Sequence, residues 1–280
     1  MLKRILTAVI LLPLLILVLW LDNTVVMMIA LTVVSVLAVG EILIATKYFS
    51  NKGIAVVCMV FVAVLPTFLC FNQLIRFFPA LSGLFLLIMF VIMLFDHEKV
   101  KFQEIALMTF VSFLIPLSLS TIIFMQKDFE HGIFYVVLTF LIAWISDAGA
   151  YFIGSAMGKH KMAPKISPKK SWEGFFGGLA FSVVFVIIVG LGYPLFDSLI
   201  SGETDFSVNV LLLIPLAVVG AVLSVIGDFS ASLLKRQCMV KDFGSILPGH
   251  GGILDRFDSV LFVAPFLYFV FKFFSPLIIL

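Results

Sequence analysis

The chain is predicted to be an all-α, polytopic integral membrane protein with about nine transmembrane helices and a cytoplasmic N-terminus. Of its 280 residues, 62% are hydrophobic and 12% charged, whereas soluble domains are about 45–50% apolar and about 25% charged. The apolar residues fall in many runs of roughly bilayer-spanning length, about 20 residues each, too many for one water-facing core. These runs lack in/out alternation, which argues against a membrane barrel and for helices, whose backbone groups are satisfied internally.

The runs place spans near residues 5 to 21, 25 to 46, 54 to 71, 80 to 95, 105 to 125, 133 to 157, 174 to 195, 209 to 234 and 257 to 279. The first follows Lys3 and Arg4 and lacks a small-x-small cleavage site, so it reads as a retained span. The run at 80 to 95 is short, and Pro13, Pro66, Pro116 and Pro215 are candidate kinks. With the N-terminus inside, 15 of the 18 Lys and Arg residues fall on the interior side, and only Arg76, Lys127 and Lys272 outside. That asymmetry sets the orientation and, with an odd span count, puts the C-terminus outside. The polar segments 158 to 173 and 235 to 256 are then cytoplasmic. There is no internal repeat and no soluble domain. The chain reads as one integral membrane domain, 1–280, with helices in 1–130 as scaffold or oligomer contact and a catalytic part in 131–280. Cys58, Cys70 and Cys238 form no CxxC pair and read as free thiols.

Acidic residues inside such helices are costly, about 2.5–3.5 kcal/mol at the centre of a span, and so face a partner, a cavity or a function. Asp147, in WISDAGAYFIG, lies close to mid-membrane, where a site role and a buried structural hydrogen bond are both open. Asp228 lies about two turns before the cytoplasmic end of its span. Asp255 and Asp258 open the next span on the same side and share a helical face. Asp228, Ser232 and Lys235 form a stripe on theirs. Two such faces meeting would make an oxygen-rich site for a hard divalent cation such as Mg²⁺. The plainer alternative pairs Asp255 with Arg256 or Lys235. Glu41 is either a site residue or one half of an ion pair with a neighbouring helix.

The segment GKHKMAPKISPKKSWEG, 158 to 174, carries five lysines. The positive-inside rule alone accounts for lysines there. Pro164 and Pro168 stiffen the segment, however, and Ser167, Ser171 and Glu173 add directional hydrogen-bonding groups beside Lys165, Lys169 and Lys170. In 235 to 256, glycines at 244, 249, 251 and 252 allow close backbone approach, and a loop entering a helix is a natural anion cradle. With Lys235, Arg236, Lys241 and Arg256 nearby, a phosphorylated substrate held with a metal is the chemistry suggested. His250 is open between base, phosphate donor and packing residue. His97, His131 and His160 read as solvated.

The stretch SASLLKRQCMVKDFGSILPGHGGILDRFD, residues 230 to 258, resembles the signature of phosphatidate cytidylyltransferases, also called CDP-diacylglycerol synthases. The matching positions are Ser232, Lys235, Arg236, Lys241, Asp242, Gly244, Pro248, His250, Gly251, Gly252, Asp255, Arg256 and Asp258. SDAGAYFIG, with Asp147 and Tyr151, and PKISPKKSWEG are also similar to the family, whereas the first 130 residues resemble it only in being hydrophobic.

The resemblance implies cytidylyl transfer from CTP to phosphatidic acid, with Mg²⁺ on Asp228, Asp255 and Asp258 and a K⁺ ion able to share that centre. Lys165, Lys169 and Lys170 are assigned to CTP, and Lys235, Arg236 and Arg256 to either phosphate. The remaining substrate contacts expected are Ser167, Ser171, Glu173, Ser232, Lys241, Asp242, His250, Gly251, Gly252, Asp147 and Tyr151. The expected setting is the plasma (inner) membrane, with the active site facing the cytoplasm, membrane lipids and a homodimer partner as associates, and no nucleic acid. An ion-coupled transporter would account for Asp147, Asp228 and Glu41 but not for the lysine-rich segment or HGGILDRFD. A polyprenol kinase would consume ATP and release no pyrophosphate, and a CDP-alcohol phosphotransferase needs an Asp-Gly and paired-Asp motif that the chain lacks.

Overall fold

A computed structural model describes residues 9, 13–47, 52–201, 206–247, 249 and 251–279. The described residues are 78% helical, and among them seven helices are long and apolar enough to cross a membrane. The span expected at 5 to 21 is described only in part, with residues 13–20 helical. The chain divides into two compact units, one of residues 1–127 and 235–257, the other of 128–234 and 258–280.

The first unit contains α1 (Thr24–Ala45), α2 (Lys52–Cys70), a 3-10 turn (Ile75–Phe77), α3 (Phe78–Phe95), α4 (Phe102–Asp128) and the short α8 (Leu254–Phe257). Asn23 starts α1: its side-chain oxygen accepts from the N–H groups of Val25 and Val26 at 2.9 and 3.2 Å, supplying partners that the first helical turn lacks. Three rings lock α2, α3 and α4 together. Phe61 stacks on Phe85 with centroids 4.0 Å apart, and both meet Phe113 edge-on. At one end, the Lys127 ammonium donates to the Cys70 carbonyl and to Asn72 at 2.8 and 2.7 Å, satisfying a helix-terminal carbonyl. The short run expected at 80 to 95 does form a helix. Only 11% of its apolar window is buried, so most of that surface is left for lipid. Cys58 and Cys70 are free thiols in the core, as expected.

The second unit contains α5 (Gly132–Met157), β1 (Lys161–Ala163), β2 (Ser167–Ser171), α6 (Trp172–Ser201), β3 (Phe206–Val208), α7 (Val210–Gln237, whose last turn from Lys235 counts with the first unit), α9 (Val260–Phe273) and β4 (Leu277–Ile279). The helices α5 and α6 pack along each other through small residues. Two features depart from the all-helical expectation. The lysine-rich segment is an antiparallel hairpin, with Lys161 opposite Ser171 and Ala163 opposite Ser167. The last span expected at 257 to 279 is broken. The helix α9 has 14 residues, about 21 Å at about 1.5 Å per residue, short of a roughly 30 Å hydrocarbon core. It is interrupted before Val260, where the Asp258 carboxylate accepts the N–H of Ser259 at 2.8 Å. It ends before Pro276, after which β4 pairs with β3 in the register Phe206–Ile279, Ser207–Ile278 and Val208–Leu277.

Candidate functional site

In the second unit the expected site residues include three aspartates, Asp147, Asp228 and Asp258. Asp147 sits within α5, and its two oxygens accept the hydroxyls of Ser224 and Ser259 at 3.3 and 2.9 Å. The Ser224 hydroxyl also lies 3.2 Å from the Ala143 carbonyl and 3.0 Å from the Ser146 hydroxyl. Ser259 additionally approaches the Ser224 carbonyl at 3.2 Å. One carboxylate thus pins α5, α7 and the start of α9 through buried hydroxyls, and a buried polar group without such partners would be costly. The structural hydrogen bond left open for Asp147 is therefore present. Its consequence is to hold Ser259, the residue that follows Asp258, in place. Asp258 is itself buried, 7% exposed.

Asp228, on α7, is ion-paired with Lys170 of β2 and accepts the Ser232 hydroxyl at 3.3 Å. The Asp228–Ser232 half of the expected stripe is thus a direct contact. The Lys170 ammonium also lies 4.8 Å from the centre of the Phe229 ring. Lys165 and Lys169 are exposed on the hairpin, and Ser167 is half-buried. Ser171 is buried and uses its hydroxyl to accept the Gly174 N–H at 3.2 Å, capping α6. The Glu173 carboxylate accepts the N–H groups of Lys159 and His160, at 3.1 and 3.2 Å, and lies 2.6 Å from the His160 ring nitrogen Nδ1. His160 is exposed as expected, but it is paired and helps close the hairpin. Tyr151 is exposed, its ring edge-on to Phe152.

In the first unit, Lys235 donates to Asp255 at 2.7 Å, with the two side chains only 13% and 5% exposed. The plainer alternative for Asp255 is realised, though as a buried pair rather than a solvated one. The other Asp255 oxygen accepts the N–H groups of Phe243 and Gly252 at 3.1 and 2.9 Å. Glu41, buried in α1, accepts the N–H groups of Ile253 and Leu254 at 2.8 and 2.9 Å. The anion cradle expected of this glycine-rich loop is therefore filled, at Phe243 and from Gly252 to Leu254, by two of the protein's own carboxylates. Glu41 binds backbone rather than a cation, so of the two roles left open for it the ion pair is not formed among the described residues. Arg236, Lys241, Asp242 and Arg256 are exposed and Gly251 is half-buried. His250 and Pro248 lie outside the described residues.

Among the described residues no three His, Cys, Asp or Glu side chains gather closely enough to hold a metal ion by themselves, so no carboxylate cage is preformed. Mg²⁺ does not require one, since it commonly takes one or two carboxylates and completes its shell with water and substrate phosphates. The donor set suits such an ion. Asp228 and Asp255 each hold a cationic ammonium; Asp228 also has the Ser232 hydroxyl beside it, whereas the second oxygen of Asp255 accepts two backbone N–H groups. Ser146, Ser224 and Ser259 are the contributors that the sequence did not single out. Ser224 precedes Asp228 by one helical turn and Ser259 adjoins Asp258, so position relative to an acid was the available signal.

A family model described as the cytidylyltransferase family matches residues 2–274. The phosphatidate cytidylyltransferase of Bacillus subtilis (strain 168) is 38% identical over 196 residues, 70% of this chain and 68% of that protein. Those of Staphylococcus haemolyticus (strain JCSC1435) and Staphylococcus aureus (strain COL) are 45% identical over 138 and 144 residues. In these two comparisons the match spans about half of each chain, 49% and 51%.

Proposed function

The chain belongs to the cytidylyltransferase family, and we infer that it is a nucleotidyltransferase that moves a cytidylyl group from CTP to phosphatidic acid. A phosphate oxygen of phosphatidic acid attacks the α-phosphorus of CTP. The new P–O bond forms as the bond from the α-phosphorus to the bridging oxygen breaks, giving CDP-diacylglycerol and pyrophosphate. The nucleophile is already an oxyanion, so no strong general base is needed. The obstacle is repulsion between two polyanions, which positioned cations relieve.

The observation that carries this reading at the level of residues is the pairing of two carboxylates, one just before the signature and one in it, with lysines, Asp228 with Lys170 and Asp255 with Lys235. Each lysine is held, partly desolvated, where an incoming phosphate can compete with a carboxylate for it. In this account Lys165, Lys169 and Lys170 bind CTP, while Lys235, Arg236 and Arg256 bind phosphate oxygens of either substrate. Ser232, Lys241, Asp242, His250, Gly251 and Gly252 complete the polar surroundings. Asp228, Asp255 and Asp258 hold Mg²⁺, with K⁺ as a companion ion. When bound, the metal supplies charge neutralisation for the phosphates and the departing pyrophosphate. Asp147 keeps Ser259, and with it the backbone at Asp258, in position.

The apolar helices support a multi-pass membrane protein. We place its N-terminus and its lysine-rich segments in the cytoplasm, nine segments in the bilayer and the site at the cytoplasmic face of the plasma membrane, where CTP and a lipid can meet. The lysine and arginine asymmetry supports that orientation. A homodimer through the N-terminal helices belongs to the same proposal. The test is to incubate the purified protein with phosphatidic acid, Mg²⁺ and each nucleoside triphosphate in turn. Labelled CTP is expected to enter lipid with release of pyrophosphate. Turnover with ATP alone, without pyrophosphate, would replace this reading with a lipid kinase.

A further inference from the structure

We propose that Glu41 is a positioning residue for the signature segment, the fixed anion against which Gly244 and the stretch from Gly252 to Leu254 are packed and by which Asp255 and Arg256 are aimed. Glu41 is 1% exposed and sits near the end of α1, more than two hundred residues before the segment it touches. Each carboxylate oxygen accepts one backbone N–H, Oε1 from Ile253 at 2.8 Å and Oε2 from Leu254 at 2.9 Å. Both oxygens act as acceptors only, which a carboxylate can do and a glutamine amide cannot.

The backbone is also pressed against this group from two sides. A Cβ placed on Gly244 would stand 2.4 Å from Oε1, and one on Gly252 would stand 2.3 Å from Oε2. Glycine is needed at these positions because the loop closes directly onto Glu41. The contact then passes to the residues expected to serve the transfer. The Gly252 N–H binds Asp255, whose other oxygen holds Lys235, and Arg256 follows in the same short helix. A membrane helix is a rigid platform for a loop that must present charged groups accurately. Through Glu41 the N-terminal helices contribute to the geometry of the signature.

The inference rests on the reading that Asp255 and Arg256 serve cytidylyl transfer, and its test separates the two. Purified wild type, Glu41→Gln, Glu41→Ala, Gly252→Ala and the double variant Glu41→Ala with Gly252→Ala are compared by hydrogen exchange of the peptide covering 251–256 and by CTP turnover. Both Glu41 variants are expected to accelerate exchange in that peptide and to lower kcat by roughly 10- to 100-fold, the scale of small misplacements of reacting groups. KM for CTP should stay within about threefold of wild type, since no CTP contact is removed. Gly252→Ala alone should lower kcat, but it should add little to Glu41→Ala, where the space for a methyl group has been opened, a non-additivity expected of groups in contact. Unchanged exchange in Glu41→Gln, or full multiplication of the two single effects, would overturn the positioning role. An inactive wild type with CTP would instead sink the functional reading and leave the exchange comparison to decide on Glu41.

Discussion

Lys170 and Asp228 are ion-paired within one unit, the lysine on the β1–β2 hairpin and the aspartate on α7. The contact anchors the lysine-rich segment to a membrane helix at the acid expected to serve the metal. The side chains are 20% and 27% exposed, so water moderates the pair without removing it. Changing Lys170 to Met should lower kcat/KM for CTP by about 100-fold, the scale for loss of one charge-stabilising group. Lys165→Met, at an exposed position of the same hairpin, should cost less than about tenfold. Steady-state kinetics on the two variants checks the ranking, and equal losses would argue that the hairpin acts only through its total charge.

Ser259 donates to Asp147 at 2.9 Å in a buried setting. Ser259→Ala should leave one carboxylate oxygen without its hydroxyl and destabilise the protein by about 1–3 kcal/mol. Thermal unfolding in detergent should show a lowered midpoint, with a fall in turnover because Asp258 is the adjacent residue. Ser230→Ala is the control. Its hydroxyl bonds back to the Ile226 carbonyl on an exposed face, and its removal should be nearly neutral in both measurements.

The ring cluster Phe61, Phe85 and Phe113 is remote from the signature in sequence and ties three helices of the first unit. Phe85→Ala should cost about 3–5 kcal/mol through the cavity it leaves, while Phe85→Leu should cost markedly less. Both variants, when folded, should retain the wild-type KM for CTP. A change in KM without a change in stability would contradict a purely structural role.

Most of the membrane architecture was legible because bilayer spans are long apolar runs, and each of the nine predicted runs coincides with described helix or part of one. The last was read as longer than its helix because hydropathy is continuous through Phe273, Phe274 and Leu277, while the helix ends at Phe273 and Leu277–Ile279 form a strand. Strand pairing between residues some seventy positions apart leaves no local period to read. In the site, Asp228 with Ser232 and Asp255 with Lys235 were legible because helical spacing or shared loop position puts the partners close. Glu41 and the Ser146–Ser224–Asp147–Ser259 network were not, since a contact between distant elements has no signature in either segment alone. The glycines were recognised as marking close approach to an anion. That the anions cradled by the loop are Glu41 and Asp255 is a fact of the fold rather than of the motif.

The central claim is that this chain transfers a cytidylyl group to a lipid phosphate through its signature aspartates. The most direct measurement is the Mg²⁺-dependent appearance of label from CTP in lipid, using purified wild type and Asp258→Asn reconstituted with phosphatidic acid. The account predicts labelled CDP-diacylglycerol with stoichiometric pyrophosphate from the wild type, and loss of that conversion, by about 100-fold or more, in a variant that remains folded and inserted. Near-normal conversion by Asp258→Asn would contradict the assignment of that residue, and absence of conversion by the wild type would contradict the claim itself.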